Sequence, residues 1–388
     1  MPQSTTPPVI LIAGATGVIG GNVTAHFVRE GVRTRGVTRQ PPAQAEGWEP
    51  VSANLLDLAA TRQAFKAAAD TTRLVFAAYI EKLDPLEQIQ VNVELLRNTL
   101  DGLKAVGAPL EHVTMYQGNK FYGANLGRFK TPALEDDPRL ATPNFYYHQE
   151  DLLRARAQAD GFAWTIFRPE GVMGYAKGSP MNLLMVLATY TAISKKLGIP
   201  LRFPGPRAAF DDVYYQMSDA ELVAQATLWA GGAPTAANQA FNLTNGDVIK
   251  WSHLFKAIAA HYDMPLEEPQ EFNLASQMPM HGELWNEIVR EHGLQPNTLG
   301  QLVDWRFGDM ILNSTWDNIS NTIKLRHAGF HGCFNTIDRT LALLDDLAAR
   351  KTSPPPARLG RRRPAQERRH PAGLRQPSRR GAAPTNEN

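Results

Sequence analysis

Directly after the apolar run Val9–Ala13 stands Gly14-Ala-Thr-Gly17-Val-Ile-Gly20, and this pairing constrains the chain more than anything else in it. The run is short, wholly apolar and ends in glycine, which reads as a strand buried on both faces of a parallel sheet. Glycines at that spacing permit a tight turn, close approach of the backbone to a pyrophosphate, and close packing of the next helix on the strand. The helix N-terminus then stabilises phosphate charge. A glycine triplet alone is a weak signal, but at the entrance to a βαβ unit it outweighs a purely structural turn.

The rhythm continues downstream. A helix is predicted from Val18 to about Glu30, stopped by Gly31, then a strand over Val32–Thr38. Further strands are read at Leu74–Ala78, Val113–Tyr116 and Trp164–Phe167, with helices over Leu86–Val106 and about Tyr147–Ala159. Strands alternating with helices imply an α/β, Rossmann-like, doubly wound parallel sheet. Beyond Pro169 the pattern turns mostly helical: Ser218-Asp-Ala-Glu221 reads as a capping-box start, and Trp251–Tyr262 and Leu284–His292 follow. The expected organisation is a flexible arm over 1–8, a nucleotide-binding domain over 9–175, a mostly helical substrate-binding lobe over 176–351, and a disordered tail over 352–388.

That tail holds seven prolines, nine arginines and no aromatic residue, too little apolar surface to build a core. The net charge of +2 hides its effect: residues 351–388 carry ten Lys/Arg and two Glu, leaving the first 350 residues at −6. An arginine tail without stacking aromatics reads as a solvated extension, so no specific nucleic-acid partner is expected. One cysteine, Cys333, excludes a disulfide framework and suits a reducing compartment. No cationic segment precedes Val9–Ala13, and the apolar run Met181–Ile193 is too short to cross a bilayer. A cytoplasmic protein without a membrane partner is expected, with a homodimer left open. The ten histidines show no ligand spacing, so no metal is expected.

At the end of the second strand an NAD-specific protein usually offers an acid to the ribose 2′-hydroxyl. This chain offers Thr38-Arg39-Gln40. A guanidinium holds a 2′-phosphate by charge-assisted hydrogen bonds, which points to NADP(H). Asn54, ending the next short strand, is a candidate adenine contact.

The glycine loop and the position of Tyr146 resemble the short-chain dehydrogenases/reductases, whose catalytic Tyr-x-x-x-Lys lies on a helix, where residues four apart have Cβ atoms about 5–6 Å apart. The one literal match, Tyr116 to Lys120, ends a strand, where four residues span about 13 Å. It reads as a decoy. The other candidate is Asn144-Phe-Tyr146-Tyr147-His-Gln-Glu150-Asp151, at the entrance to the right helix but with acids at both i+4 positions. An adjacent carboxylate tends to raise a tyrosine pKa, the opposite of a lysine's effect. Either the site is dead or its cation comes from Lys120. Adjacent helical side chains point about 100° apart, so one of Tyr146 and Tyr147 faces the cofactor, and Phe145 and Tyr147 are read as core.

Gln117-Gly-Asn-Lys120-Phe-Tyr122-Gly123, Asn144-Phe-Tyr146-Tyr147-x-x-Glu150-Asp151, Phe167-Arg168-Pro169, Met181-Asn182, Phe241-Asn-Leu-Thr-Asn245-Gly246-Asp247 and Trp305-Arg-Phe307-Gly308-Asp309 together resemble the progesterone 5β-reductase/iridoid synthase-like family of atypical extended short-chain dehydrogenases/reductases. The resemblance runs in order from about Val9 to Leu344. It implies NADPH-dependent reduction of the C=C bond of small enones and enals, with Tyr146 and Lys120 as catalytic residues. It also implies cofactor contacts from Gly14, Thr16, Gly17, Val18, Ile19, Gly20, Arg39, Asn54, Ala77, Lys120, Tyr146 and Val172, and substrate contacts from Met181, Asn182 and Phe307. Gln117 stands where threonine is expected, and the loop from Tyr122 to Pro143 is shorter than in plant members. The competing readings are an NAD(P)-dependent sugar-nucleotide epimerase or dehydratase, disfavoured by Arg39 and the absent helical lysine, and a non-catalytic NADP(H) sensor, disfavoured by retention of Lys120 and Tyr146.

Overall fold

The computed structural model describes residues 7–356 apart from 43, 177, 178 and 180, and these described residues form nine strands. They are β1 (Val9–Ala13), β2 (Arg33–Thr38), β3 (Glu49–Ser52), β4 (Arg73–Phe76), β5 (His112–Tyr116), β6 (Ala163–Pro169), β7 (Val172–Met173), β8 (Ser218–Asp219) and β9 (Gln239–Leu243). Seven make one sheet in the order β3-β2-β1-β4-β5-β6-β9, parallel at every pairing; β7 and β8 pair separately. The strand order reverses between β1 and β4, so a crevice opens at their carboxyl ends, the usual ligand position in such sheets.

Burial on both faces explains the apolar strand sequences. Leu11 and Ala13 of β1 pack with Leu74, Val113 and Ile166 on one face, under the helices α2 (Leu58–Phe65), α3 (Pro85–Ala105) and α4 (Phe145–Asp160). Ile10 and Ile12 point to the other face, where Val23 and Phe27 of α1 (Val18–Arg29) and Leu222 and Val223 of α7 (Ala220–Gly232) meet them. Each fully buried large aliphatic or aromatic side chain contributes roughly 1.5–3 kcal/mol. A third core lies toward the C-terminus around α5 (Leu183–Lys196), whose residues are buried from Leu183 through Ser194, and the short α6 (Arg207–Asp211), which adds Ala209 and Phe210. Among the described residues no helix is long and apolar enough to cross a membrane.

Three expectations change. The boundary at 175 does not divide the fold: β9 completes the sheet beside β6, α7 packs on α1, and the described residues form one compact unit. The predicted capping box at Ser218 is replaced by an Asp219 N-cap, whose Oδ1 accepts from the Glu221 N–H at 2.8 Å. The Glu221 carboxylate turns instead to α1, accepting from Arg29 at 2.6 Å and pairing with His26 at 2.8 Å. The expected tail begins too early. Thr352, Ser353 and Pro354 are buried, and the N–H groups of Thr352 and Ser353 donate to the Leu347 carbonyl. The remainder of that tail, from 357, and residues 1–6 of the expected arm lie outside the described residues.

Candidate active site

The glycine loop turns where the first glycine must. Gly14 has φ +83°, and a Cβ there would stand 2.8 Å from the backbone of Ala77. A Cβ on Gly20 would lie 2.1 Å from the Gly14 carbonyl oxygen. The turn is thus pressed against the residues after β4, and Ala77 donates its N–H to the Ala13 carbonyl. Gly17 is the N-cap of α1 and supplies no side-chain cap, whereas α2, α3, α4, α5 and α7 each have one from Asp or Asn. The first-turn amides of α1 are left for an anion, and Thr16, Gly17, Val18 and Ile19 are exposed or half-buried around them. These residues fit a dinucleotide pyrophosphate. Arg39 is exposed just beyond β2, and Asn54 is exposed in the turn beyond β3, its Oδ1 accepting from Leu56.

Lys120 and Tyr146 come from separate elements that the backbone ties together. Lys120 lies in a short 3-10 turn, Asn119–Tyr122, that follows β5; Tyr146 lies in the first turn of α4. Asn144, the α4 N-cap, accepts from the Tyr146 N–H at 3.0 Å and donates to the Lys120 carbonyl at 2.8 Å. Tyr147 donates its hydroxyl to the Phe121 carbonyl at 2.7 Å. Gln117 donates to the Tyr146 carbonyl at 3.2 Å. Tyr147 and Phe145 are buried as expected, while Tyr146 and Lys120 are half-buried. A Cβ on Gly118 would lie 3.4 Å from both the Tyr146 hydroxyl and the Pro169 carbonyl oxygen, so the tyrosine crosses the chain there. Burial, reinforced by the carboxylates of Glu170 and Glu81, pushes the Tyr146 hydroxyl above its ordinary range and keeps it a donor. Tyr116 points away, its hydroxyl 2.6 Å from Thr227 Oγ1 of α7. The tyrosine of the literal Tyr-x-x-x-Lys match is thus committed to α7.

The acid at the expected lysine position has a different partner. Glu150 is 3% exposed and accepts from Gln117 at 3.1 Å and from the Arg154 guanidinium at 2.6 Å, with Arg168 at 3.4 Å. Arg168, 1% exposed, also donates to Gln117 Oε1 at 2.8 Å and to the Tyr122 hydroxyl at 2.9 Å, and stacks on Phe121. Burial acts against the Glu150 charge, but Gln117, Arg168 and Arg154 hold its carboxyl below the usual range. Gln117 is therefore the clasp between strand, helix and this buried pair. In sequence Gln117 shows only as a departure from threonine, and its contact with Arg168 is invisible in spacing.

The expected substrate residues divide. Asn182 is fully buried, with Oδ1 capping the Leu184 N–H and Nδ2 donating to the Gly174 carbonyl, so its amide is used by the fold. Met181 is half-buried just before it, and Phe307 is half-buried on the C-terminal core. Val172 is half-buried in β7, near the sheet's carboxyl edge. Glu170, Tyr215 and Asn318, which bond to one another just after β6, were not anticipated; they lie far apart in sequence in unremarkable contexts.

A seven-stranded parallel sheet with a glycine loop after β1 and a crevice at its carboxyl edge is a Rossmann-like nucleotide-binding fold. In fold the chain is similar to a short-chain dehydrogenase/reductase superfamily protein from Agrobacterium tumefaciens, solved with bound NAD, at TM-score 0.60 and 18% identity, covering 88% of this chain and 98% of that one. More narrowly, residues 53–307 match the PRISE-like Rossmann-fold domain, and the chain belongs to that family. It is 33% identical over 367 residues to an (S)-8-oxocitronellyl enol synthase of Nepeta cataria, covering 89% of this chain and 93% of the relative. It is 30% identical over 370 residues to a 3-oxo-Delta(4,5)-steroid 5-beta-reductase of Arabidopsis thaliana, covering 91% and 95%.

Proposed function

We propose that this protein is an NADPH-dependent reductase of activated C=C bonds in small enones and enals. A bound nicotinamide supplies the hydride to the β-carbon. The chain's own task is then to hold the carbonyl and to stabilise the enolate charge that develops on its oxygen. Tyr146 is the donor to that oxygen: its hydroxyl is kept protonated and sits at the carboxyl edge of the sheet. Lys120 provides the positive charge near the cofactor ribose. Arg39 receives the 2′-phosphate, and the first-turn amides of α1 the pyrophosphate. Met181 and Phe307 offer apolar contact to the substrate.

One observation carries this reading: a tyrosine at the α4 entrance and a lysine after β5 are joined through Asn144, Gln117 and Tyr147 although no helical spacing links them. Kinship to a steroid 5-beta-reductase supports a C=C reduction. The test is NADPH consumption by purified protein against small enals, cyclic enones and steroid enones, with identification of the saturated product. Absence of turnover with all three classes refutes the proposal.

A further inference from the structure

We propose that Asn119 is a positioning residue of this site, whose side-chain amide ties the Lys120 turn to residues 316–320 and so sets where the lysine stands. This rests on the reading of Lys120 as the cation beside the cofactor. Asn119 opens the 3-10 turn Asn119–Tyr122 and is 1% exposed, so a whole amide is buried one residue before the lysine. Both ends of that amide are used, by residues 199 and 201 positions away. Its Nδ2 donates to Asn318 Oδ1 at 2.6 Å, and its Oδ1 accepts from the Ser320 hydroxyl at 3.1 Å. Beyond the turn, the Ala124 carbonyl accepts from Trp316 Nε1 at 3.3 Å. One short segment thus holds the Lys120 turn on both flanks.

That segment is itself fixed from behind. The Asn318 N–H donates to the Tyr214 carbonyl at 2.9 Å, and the Asn318 carbonyl accepts from the Gln216 N–H at 3.2 Å. The Ser320 N–H donates to Gln216 Oε1 at 2.8 Å. Asn318 Nδ2 and the Tyr215 hydroxyl both donate to Glu170 Oε1, at 2.6 and 2.7 Å. Asn318, Ser320, Gln216 and Tyr215 are all buried. Apolar side chains would fill the same space without desolvating amides and hydroxyls. What the polar groups add is direction, because a hydrogen bond fixes distance and angle where apolar packing fixes volume. A lysine stem is long and flexible, so the reach of its ammonium is set by the backbone that carries it.

A double-mutant cycle in the full chain tests this. Asn119→Ala should weaken NADPH binding, read by fluorescence titration, by about tenfold, and lower kcat/KM for the best enone by about as much. In a Lys120→Ala background the same substitution should cost less than about twofold in either measurement, since the group it positions is gone. Ser320→Ala removes one of the two bonds to the amide and should repeat the pattern at smaller size, which keeps the test decisive if Asn119→Ala does not fold. Equal losses in the two backgrounds, or no loss from Asn119→Ala, overturn the proposal and leave the amide a packing group. A non-additive cycle for NADPH binding in a protein that reduces no enone would refute the enone-reductase reading and leave Asn119 in its role. A Lys120→Ala protein that binds NADPH and turns over as wild type does refutes the reading of Lys120, and the proposal with it.

Discussion

Writing a lysine back at the helical position, Glu150→Lys, completes a Tyr146-x-x-x-Lys motif and should nevertheless damage the protein. Glu150 and Arg168 are both nearly inaccessible, at 3% and 1%, and Gln117 spans them. Removing one member of a buried pair leaves the other uncompensated, at a cost of about 3–5 kcal/mol. Arg154 and Arg139, both more than a third exposed, are screened by water and add little to the count. Unfolding entropy near 2.1 cal/mol/K per residue gives roughly 0.7 kcal/mol/K for a unit of about 350 residues, so Tm should drop by about 4–7 °C.

Turnover should fall rather than rise, because Gln117 loses the anchor that lets it hold the Tyr146 carbonyl. Glu150→Gln, which keeps an acceptor of the same shape, should cost less, about 1–3 kcal/mol. Calorimetry on wild type and both variants, with NADPH turnover on the best enone, decides it. A Glu150→Lys protein that melts within about 1 °C of wild type, or turns over faster, means that position 150 is not a structural anion.

Tyr146→Phe should keep fold and NADPH affinity yet slow reduction of weakly activated enones by about 10²–10³-fold, whereas Tyr116→Phe, which loses only its Thr227 bond, should retain most turnover; the reverse order in steady-state assays overturns the site. NADPH should bind at least about tenfold tighter than NADH, and Arg39→Ala should erase that ratio, since one charge-assisted phosphate contact is worth about 1.5–3 kcal/mol; fluorescence titration of both cofactors reads it. Stability should fall with acid in two windows. Burial lowers His112 to about 4 from 6.5, so the unfolded chain takes up that proton first as pH drops through this range. Glu221, pulled down to about 2 from 4.5 by His26 and Arg29 against the opposing effect of burial, loses its contribution as pH falls toward 2; His112→Gln should flatten the upper window in denaturation curves recorded against pH. Truncation after Lys351 should lower Tm relative to truncation after Pro356, because Thr352–Pro354 are buried against the last helix, Thr336–Ala349; equal melting curves would refute this.

The elements legible in sequence were those whose signals are local. β1, its glycine turn and α1 are adjacent, and a five-residue apolar run bounded by glycine has few other readings. α3 starts where Asp84 and Pro85 stand together, with Asp84 capping the first turn. β9 was missed for a non-local reason. Gln239–Leu243 is only five residues, and its partner β6 lies about seventy residues earlier, so nothing nearby in sequence marks it as the sheet's last strand. The lobe boundary drawn at 175 failed with it.

The same division runs through the site. The α4 entrance that holds Tyr146 was legible from its place ahead of a helical run, whereas its Asn144 cap shows only in the structure. Lys120 was reached through motif resemblance and by elimination, since Glu150 and Asp151 deny the helix a cation. What spacing does not encode is how the two segments are held together. A helix places two side chains together by its repeat, whereas here Lys120 and Tyr146 depend on bonds to their backbones, made by Asn144, Gln117 and Tyr147. Those bonds need the two segments already packed, and the Glu150–Arg168 pair lies beneath one of them. The acid at position 150 thus anchors Gln117, which holds the Tyr146 backbone in place.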